Sequence, residues 1–143
     1  MPLKEASLVK TWTVSPRVKA FRLKVLGEEP FTFVPGQWVN FHLPIKADNP
    51  QRAYSIASPP NGSHEFETAI TRVEGGPGSS FFHDAPVGAS LKFEGPAGRF
   101  VLRDPGKSGA AFIATGTGLT PFRSMIPHLL NQGCQPDVLL LFG

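Results

Sequence analysis

RDPGKSGAAFIATGTGLTPF, residues Arg103 to Phe122, is where the pattern of the chain changes. Its first seven residues, Arg103 to Gly109, are polar and rich in Pro and Gly, the composition of a connection between two folded units. Ala110-Ala111-Phe112-Ile113-Ala114 then forms an unbroken apolar run, which reads as a parallel strand covered on both faces. Gly116-Thr117-Gly118 gives a turn, and Thr120-Pro121 opens a helix with Thr120 as its N-cap and Pro121 in the first helical position. Phe122, Met125, Ile126, Leu129 and Leu130 follow at helical spacing and make one apolar stripe. Gly133 is the expected stop, and Pro127 inside the helix is expected to bend or weaken it. Val138 to Phe142 reads as a second buried strand. A β-α-β unit with a right-handed crossover follows from this order.

Before residue 103 the period is two. Phe21, Leu23 and Val25 alternate with Arg22 and Lys24; Val39, Phe41 and Leu43 with Asn40 and His42; Leu91 and Phe93 with Lys92 and Glu94. These are half-buried antiparallel strands. Turns are expected at Gly27, Pro35-Gly36, Pro44, Pro59 to Gly62, Gly75 to Gly78 and Gly95-Pro96. About six short strands with no helix long enough to cover a sheet must bury their apolar faces on one another, and a closed Greek-key barrel does this. The fold class is therefore all-β, a six-stranded antiparallel barrel over residues 1–104, a linker over 105–109, and an incomplete α/β segment over 110–143.

Composition agrees. The 143 residues are 41% hydrophobic and 17% charged, which suits a packed core rather than disorder. Fifteen Gly and fifteen Pro, scattered without period, require many turns and favour short strands. The formal charge of +3 is compatible with an acidic partner or a phosphate, and equally with an ordinary solvated surface. Clustered Lys and Arg interleaved with exposed aromatics are missing, which argues against nucleic acid. Cys134 is the single cysteine, so there is no internal disulfide, and neither it nor the histidines show metal-ligand spacing. No metal and no iron–sulfur cluster are expected. The region Met1 to Val14 has no apolar run fit for a signal peptide or membrane span, so a cytoplasmic location without a membrane partner is expected.

Two glycine-containing turns suit phosphate. Gly75-Gly76-Pro77-Gly78-Ser79-Ser80 follows a strand read as His64 to Val73 and could aim successive N–H groups at an anion; taken alone it also reads as an ordinary hairpin loop. Gly116-Thr117-Gly118 lies between a strand and a helix start, where the helix dipole adds to the cradle. It lacks the third glycine of the dinucleotide fingerprint, Pro121 standing there. Among other candidates, His83-Asp84 reads as a helix-start or loop pair, His42 and His128 take no role, and Cys134 has no activating base.

Arg52-Ala53-Tyr54-Ser55 resembles the Arg-x-Tyr-Ser motif of the ferredoxin–NADP reductase superfamily. Three more matches keep the family's order: Gly76 to Ser79, Gly95 to Phe100, and Gly116 to Pro121. The resemblance implies a flavin barrel joined to a nucleotide-binding unit, with FAD as the cofactor, FMN being used by some relatives, and NAD(P)H as co-substrate. It implies that Arg52 pairs with the FAD pyrophosphate, Tyr54 lies against the isoalloxazine ring, and Ser55 faces the N5 atom that takes the hydride. Ile70, Thr71 and Arg72 would line the flavin, Gly76, Gly78 and Ser79 would close on the phosphates, and Gly116, Thr117, Gly118, Thr120 and Pro121 would form the nucleotide loop, with Thr120 near the flavin edge.

The implied activity is hydride transfer from NAD(P)H to FAD and electron transfer to a protein such as a ferredoxin, a flavodoxin or an oxygenase component. The alternative is a flavin-binding or regulatory module without a working nucleotide site. The family continues well past Gly143, so a chain truncated at its C-terminus is expected. Its 110–143 segment would be tied down by the barrel or by another chain through exposed strand edges, and mobile otherwise.

Overall fold

The computed structural model describes residues 1–103, 109–133 and 137–143. The expected linker 105–109, apart from Gly109, and Cys134 lie outside them. The described strands and helices are, in chain order, β1 (Lys4–Ser15), β2 (Val18–Val25), β3 (Trp38–His42), β4 (Gln51–Ser55), β5 (Glu65–Thr71), α1 (Pro77–Asp84), β6 (Ser90–Ala97), β7 (Ala110–Ala114), α2 (Thr120–Leu130) and β8 (Val138–Phe142).

The first six strands form one antiparallel sheet in the order β4-β3-β6-β1-β2-β5. Its two end strands meet: the Thr68 hydroxyl of β5 donates to Ser55 O of β4 at 2.9 Å, and Ala57 N–H, just past β4, donates to Glu67 O at 2.7 Å. The sheet closes there into the barrel that the alternation implied. Phe21, Leu23, Val39, Phe41, Leu91 and Phe93 are all buried inside it, together with Leu8, Phe66 and Ile70. Alternation works because successive strand side chains point to opposite faces, so the apolar set of every strand falls on one side.

The stretch after β5 departs from the reading as a hairpin loop: Pro77 to Asp84 is a helix, α1, with Pro77 in its first turn. Its sequence PGSSFFHD has little helix propensity. Tertiary packing supplies the stability, since the fully buried Phe82 ring stands edge-on to Phe21, Phe41 and Tyr54 at centroid distances of 5.4, 5.0 and 5.4 Å. His83 belongs to the last turn of this helix rather than to a helix start, and its Nε2 meets Ile70 O at 2.8 Å.

β7 and β8 pair in parallel, as expected. Neither is covered on both faces, which corrects the sequence reading. Phe112 is buried against α2 and Ala114 is buried too, but Ile113 is 70% exposed and Leu139 to Phe142 are exposed throughout. Among the described residues one helix covers one face of this small sheet. α2 begins at Thr120 with Leu119 in the cap position, preceded by a 3-10 turn over Gly116–Leu119. Thr120 is thus not the N-cap: its hydroxyl donates backward to Thr117 O at 2.7 Å, because the 3-10 turn extends the helical path by four residues. Met125 and Leu129 of the apolar stripe are buried with Phe112, Phe122 and Ile126 pack beside them, and Leu130 faces outward. The helix ends at Leu130, before Gly133, with Pro127 inside it.

Candidate functional site

A cavity of about 390 Å³ opens on the barrel between β4, β5 and the start of α1. Arg52 and Tyr54 line it from β4, Ala69, Ile70, Thr71 and Val73 from β5 and just beyond, and Gly76 to Ser79 from the turn and first residues of α1. Thr117 reaches it from the α/β unit, its hydroxyl 3.4 Å from that of Thr71. Two motifs far apart in sequence, Arg52 with Tyr54 and Gly76 to Ser79, therefore share one concave surface.

Each end of the cavity has its own chemistry. At one end stand the α1 N-terminus and Arg52. Helix geometry leaves the amides of Gly78 and Ser79 without intrahelical acceptors, and Pro77 has no amide to offer. Both bonds that Arg52 makes to described residues leave from Nη1, to Asn49 O and Gln51 O at 2.7 Å each, which fixes the side chain while Nε and Nη2 keep their donors. Amides, a helix dipole and a guanidinium converge as a phosphate would require. A Cβ on Gly78 would come within 2.8 Å of Arg52 Cγ, so glycine is what allows the guanidinium stem to lie along the helix start.

At the other end the surface is apolar and aromatic. The Tyr54 ring is fixed edge-on by Phe82 and tilted against Phe41 at 6.2 Å. Burial raises the pKa of its phenol above the ordinary tyrosine value, the Arg52 charge pulling weakly the other way. A planar aromatic ligand with a phosphate tail matches both ends, so the donor set and shape fit a flavin nucleotide.

Not every anticipated residue is brought here. Ala53 and Ser55 alternate to the opposite face of β4 and line neither this cavity nor the next. Ser55 is half-buried, and its carbonyl receives the Thr68 hydroxyl. Arg72 is exposed and pairs with Asp84 at 3.2 Å rather than lining the pocket. The Ser79 hydroxyl turns back on its own loop, accepting Val73 N–H at 3.0 Å, which leaves only its backbone amide for an anion. Gly116 and Thr120 line a second cavity of about 360 Å³, with Thr117 shared between the two, and Gly118 and Pro121 line neither. The Gly118 amide is already spent on Thr115 O at 3.0 Å.

The second cavity lies between the barrel wall, at Trp12, Val18, Ala20 and Thr68, and the α/β unit, at Leu119, Arg123 and Phe142. At its edge is a feature that the sequence reading did not single out. Glu67, on the outward face of β5, is buried and held by Arg22 of β2 at 2.7 Å and by Arg123 of α2 at 2.6 Å. Burial pushes the Glu67 carboxyl up, but the hydrogen bonds and charges of Arg22 and Arg123 outweigh it and hold its pKa below the usual carboxylate value. Strand alternation signals an outward residue at 67 correctly; nothing local signals that α2 covers it.

Among the described residues no cluster of His, Cys, Asp or Glu could hold a metal ion, and no helix is long and apolar enough to cross a membrane.

Comparison with known proteins agrees with this geometry. Residues 5–102 match the Oxidoreductase FAD-binding domain family, and residues 112–143 match the Oxidoreductase NAD-binding domain family. The chain is 46% identical over 140 residues to ferredoxin–NADP reductase B of Sorangium cellulosum, covering 97% of this chain and 57% of that protein. It is 37% identical over 131 residues to DmpP, the reductase component of phenol 2-monooxygenase of Pseudomonas sp. strain CF600, covering 91% of this chain and 36% of that one. Its fold superposes on the Amycolatopsis cytochrome P450 reductase GcoB with a TM-score of 0.84 at 26% identity, covering 99% of this chain and 44% of GcoB. The chain thus spans about half the length, or less, of these relatives. These matches run through both the barrel and the β-α-β unit: the chain belongs to the ferredoxin–NADP reductase superfamily of FAD- and NAD-binding oxidoreductases.

Proposed function

We propose that this chain binds FAD in the first cavity and belongs to an enzyme that takes a hydride from NAD(P)H and passes electrons to a protein acceptor such as a ferredoxin, a flavodoxin or an oxygenase component. The observation that carries the reading is Thr117, the α/β residue that lines the same cavity as Arg52 and Tyr54. A residue of the expected nucleotide loop at the flavin pocket is what hydride transfer between two bound ligands needs. The names of the relatives above support the same reading.

In this proposal the flavin, when bound, supplies the redox chemistry, and the protein supplies position and electrostatics. Arg52 and the amides of Gly78 and Ser79 hold the pyrophosphate. Tyr54 gives one face of the ring a rigid wall and excludes water from it. The barrel edge at Ala69 to Thr71 bounds the ring, and the Thr117 hydroxyl faces it from the nucleotide side. Ser55, which lines neither cavity, is not assigned to the reacting atom.

The test is direct. The purified chain is loaded with FAD and titrated anaerobically with NADH and with NADPH while the flavin absorbance is followed. Bleaching by either nucleotide is expected, and the ratio of the two identifies the preferred donor. An unchanged flavin band with both would reject the proposal. Acid release and chromatography of flavin retained from expression separates FAD from FMN.

A further inference from the structure

The α/β unit is held to the barrel by two consecutive residues of α2. Arg123 Nη1 donates to Glu67 Oε2 at 2.6 Å and to Ala57 O at 3.2 Å, and the fully buried Ser124 hydroxyl donates to Ser58 O at 2.7 Å. The acceptors lie on β5 and on the segment that directly follows β4, the two strands whose other residues build the flavin cavity. Glu67 is itself fixed by Arg22, through Nε at 3.0 Å and Nη2 at 2.7 Å, so Arg123 bonds to an acceptor that is already immobile.

From this anchor the path returns to the cavity. Three residues before Arg123, the Thr120 hydroxyl donates to Thr117 O at 2.7 Å, and the Thr117 hydroxyl meets that of Thr71, on the same strand as Glu67, at 3.4 Å. Glu67, Arg123, Thr120, Thr117 and Thr71 close a loop of contacts that leaves β5, runs through α2 and returns to β5. Opening it at Arg123 leaves Ser124 to Ser58 as the remaining hydrogen bond of that helix face to the barrel among the described residues.

We infer that Arg123 is a positioning residue: by bonding Glu67 and Ala57 O it sets where Thr117 stands against the flavin cavity, and so fixes the nucleotide unit in register with the flavin. The inference rests on the proposed flavin function for its purpose, but the pin itself is a property of the ligand-free chain. The rival role for an arginine whose side chain is 51% exposed beside the second cavity is direct contact with a phosphate of the nucleotide. The two roles predict different results.

The experiment compares wild type, Arg123→Ala, Arg123→Lys and Glu67→Gln as full chains. Hydrogen exchange is measured first without ligand. Arg123→Ala and Glu67→Gln should speed exchange of residues 115–130 by about tenfold, the scale of one lost charge-assisted hydrogen bond, and leave β1, β3 and β6 unchanged. Arg123→Lys, which keeps a donor and the charge, should restore protection in part. Unchanged exchange in Arg123→Ala overturns the inference.

With FAD bound, Arg123→Ala should keep its flavin affinity within about threefold while flavin reduction at saturating nucleotide slows about tenfold with half-saturation unchanged. A loss confined to nucleotide half-saturation, with exchange at wild-type level, would assign Arg123 to the ligand and also overturn the inference. If wild type is not reduced by either nucleotide, the proposed function fails, and the exchange measurement still decides the pin. Should Arg123→Ala not fold, Glu67→Gln and Arg123→Lys carry the same comparison.

Discussion

Gly78 and Arg52 are in such close register that a Cβ on the glycine would stand 2.8 Å from Arg52 Cγ and 2.9 Å from its Nε. The helix start and the guanidinium are thus one construction, although 25 residues of sequence lie between Arg52 and Gly78. Gly78→Ala should displace Arg52 and weaken FAD binding by about tenfold without adding backbone strain. Arg52→Ala should weaken it by ~10- to 100-fold, the ~1.5 to 3 kcal/mol of a charge-assisted hydrogen bond. Flavin fluorescence titration measures both. Equal affinity in Gly78→Ala and wild type would show that the cavity does not hold the phosphate at that point.

Tyr54 is the only tyrosine of the chain, so its ionisation can be followed without interference by ultraviolet absorbance. Burial places its pKa above the ordinary tyrosine value, and the Arg52 charge opposes this. In the flavin-free protein the phenol should ionise later than in a denatured control, and Arg52→Ala should delay it further. Titration at the free-tyrosine value would mean that the ring lies open to water.

Glu67 makes stability depend on acid. Its folded pKa lies below the usual carboxylate value, held there by Arg22 and Arg123 against the opposing effect of burial. A carboxylate with a depressed folded pKa contributes stability that is present above its unfolded pKa and is lost as pH falls through the folded one. The midpoint of thermal unfolding of wild type should therefore exceed that of Glu67→Gln at neutral pH, and the gap should close below about pH 4, where free glutamate protonates. A gap that is constant across that range would exclude charge as its cause.

Gly36 lies where the barrel approaches α2 on a second flank. It has φ +102°, and a Cβ there would fall 1.8 Å from Phe100 O and 2.4 Å from Met125 Cε. Gly36→Ala should destabilise the chain by on the order of 3 kcal/mol, combining left-handed backbone strain with a clash against main chain. Calorimetry should show this as a drop of roughly 10 °C. Gly62→Ala, with a positive φ but open space around it, should cost clearly less.

The barrel was legible because its inner residues obey a strict period of two, and Phe21, Leu23, Val39, Phe41, Leu91 and Phe93 are buried where alternation puts them. The convergence of Arg52 and Tyr54 with Gly76 to Ser79 was legible through linked motifs. What local sequence could not carry is what depends on distant packing. α1 exists because Phe82 is gripped by Phe21, Phe41 and Tyr54, none of which is a neighbour in sequence. Thr120 looked like a cap because Thr-Pro commonly opens a helix, yet the 3-10 turn before it moves the cap to Leu119. Ser55 looked catalytic through its motif, while the alternation of β4 turns it from Arg52 and Tyr54. Nothing in the sequence around Glu67 marks it, because the helix whose Arg123 holds it begins 53 positions later.

The one-sided cover of the β7–β8 sheet has a practical side. Leu139 and Leu141 are 53 and 50% exposed and share the uncovered face with Ile113. An apolar patch beside strand edges that no described strand pairs is the kind of surface on which like molecules stick. Handled as these 143 residues, the protein should sediment as a monomer when dilute and form larger species as concentration or salt rises. Rates and affinities are therefore best measured in dilute solution, with a charged substitution on the uncovered face such as Leu141→Lys as the control that keeps the molecules apart.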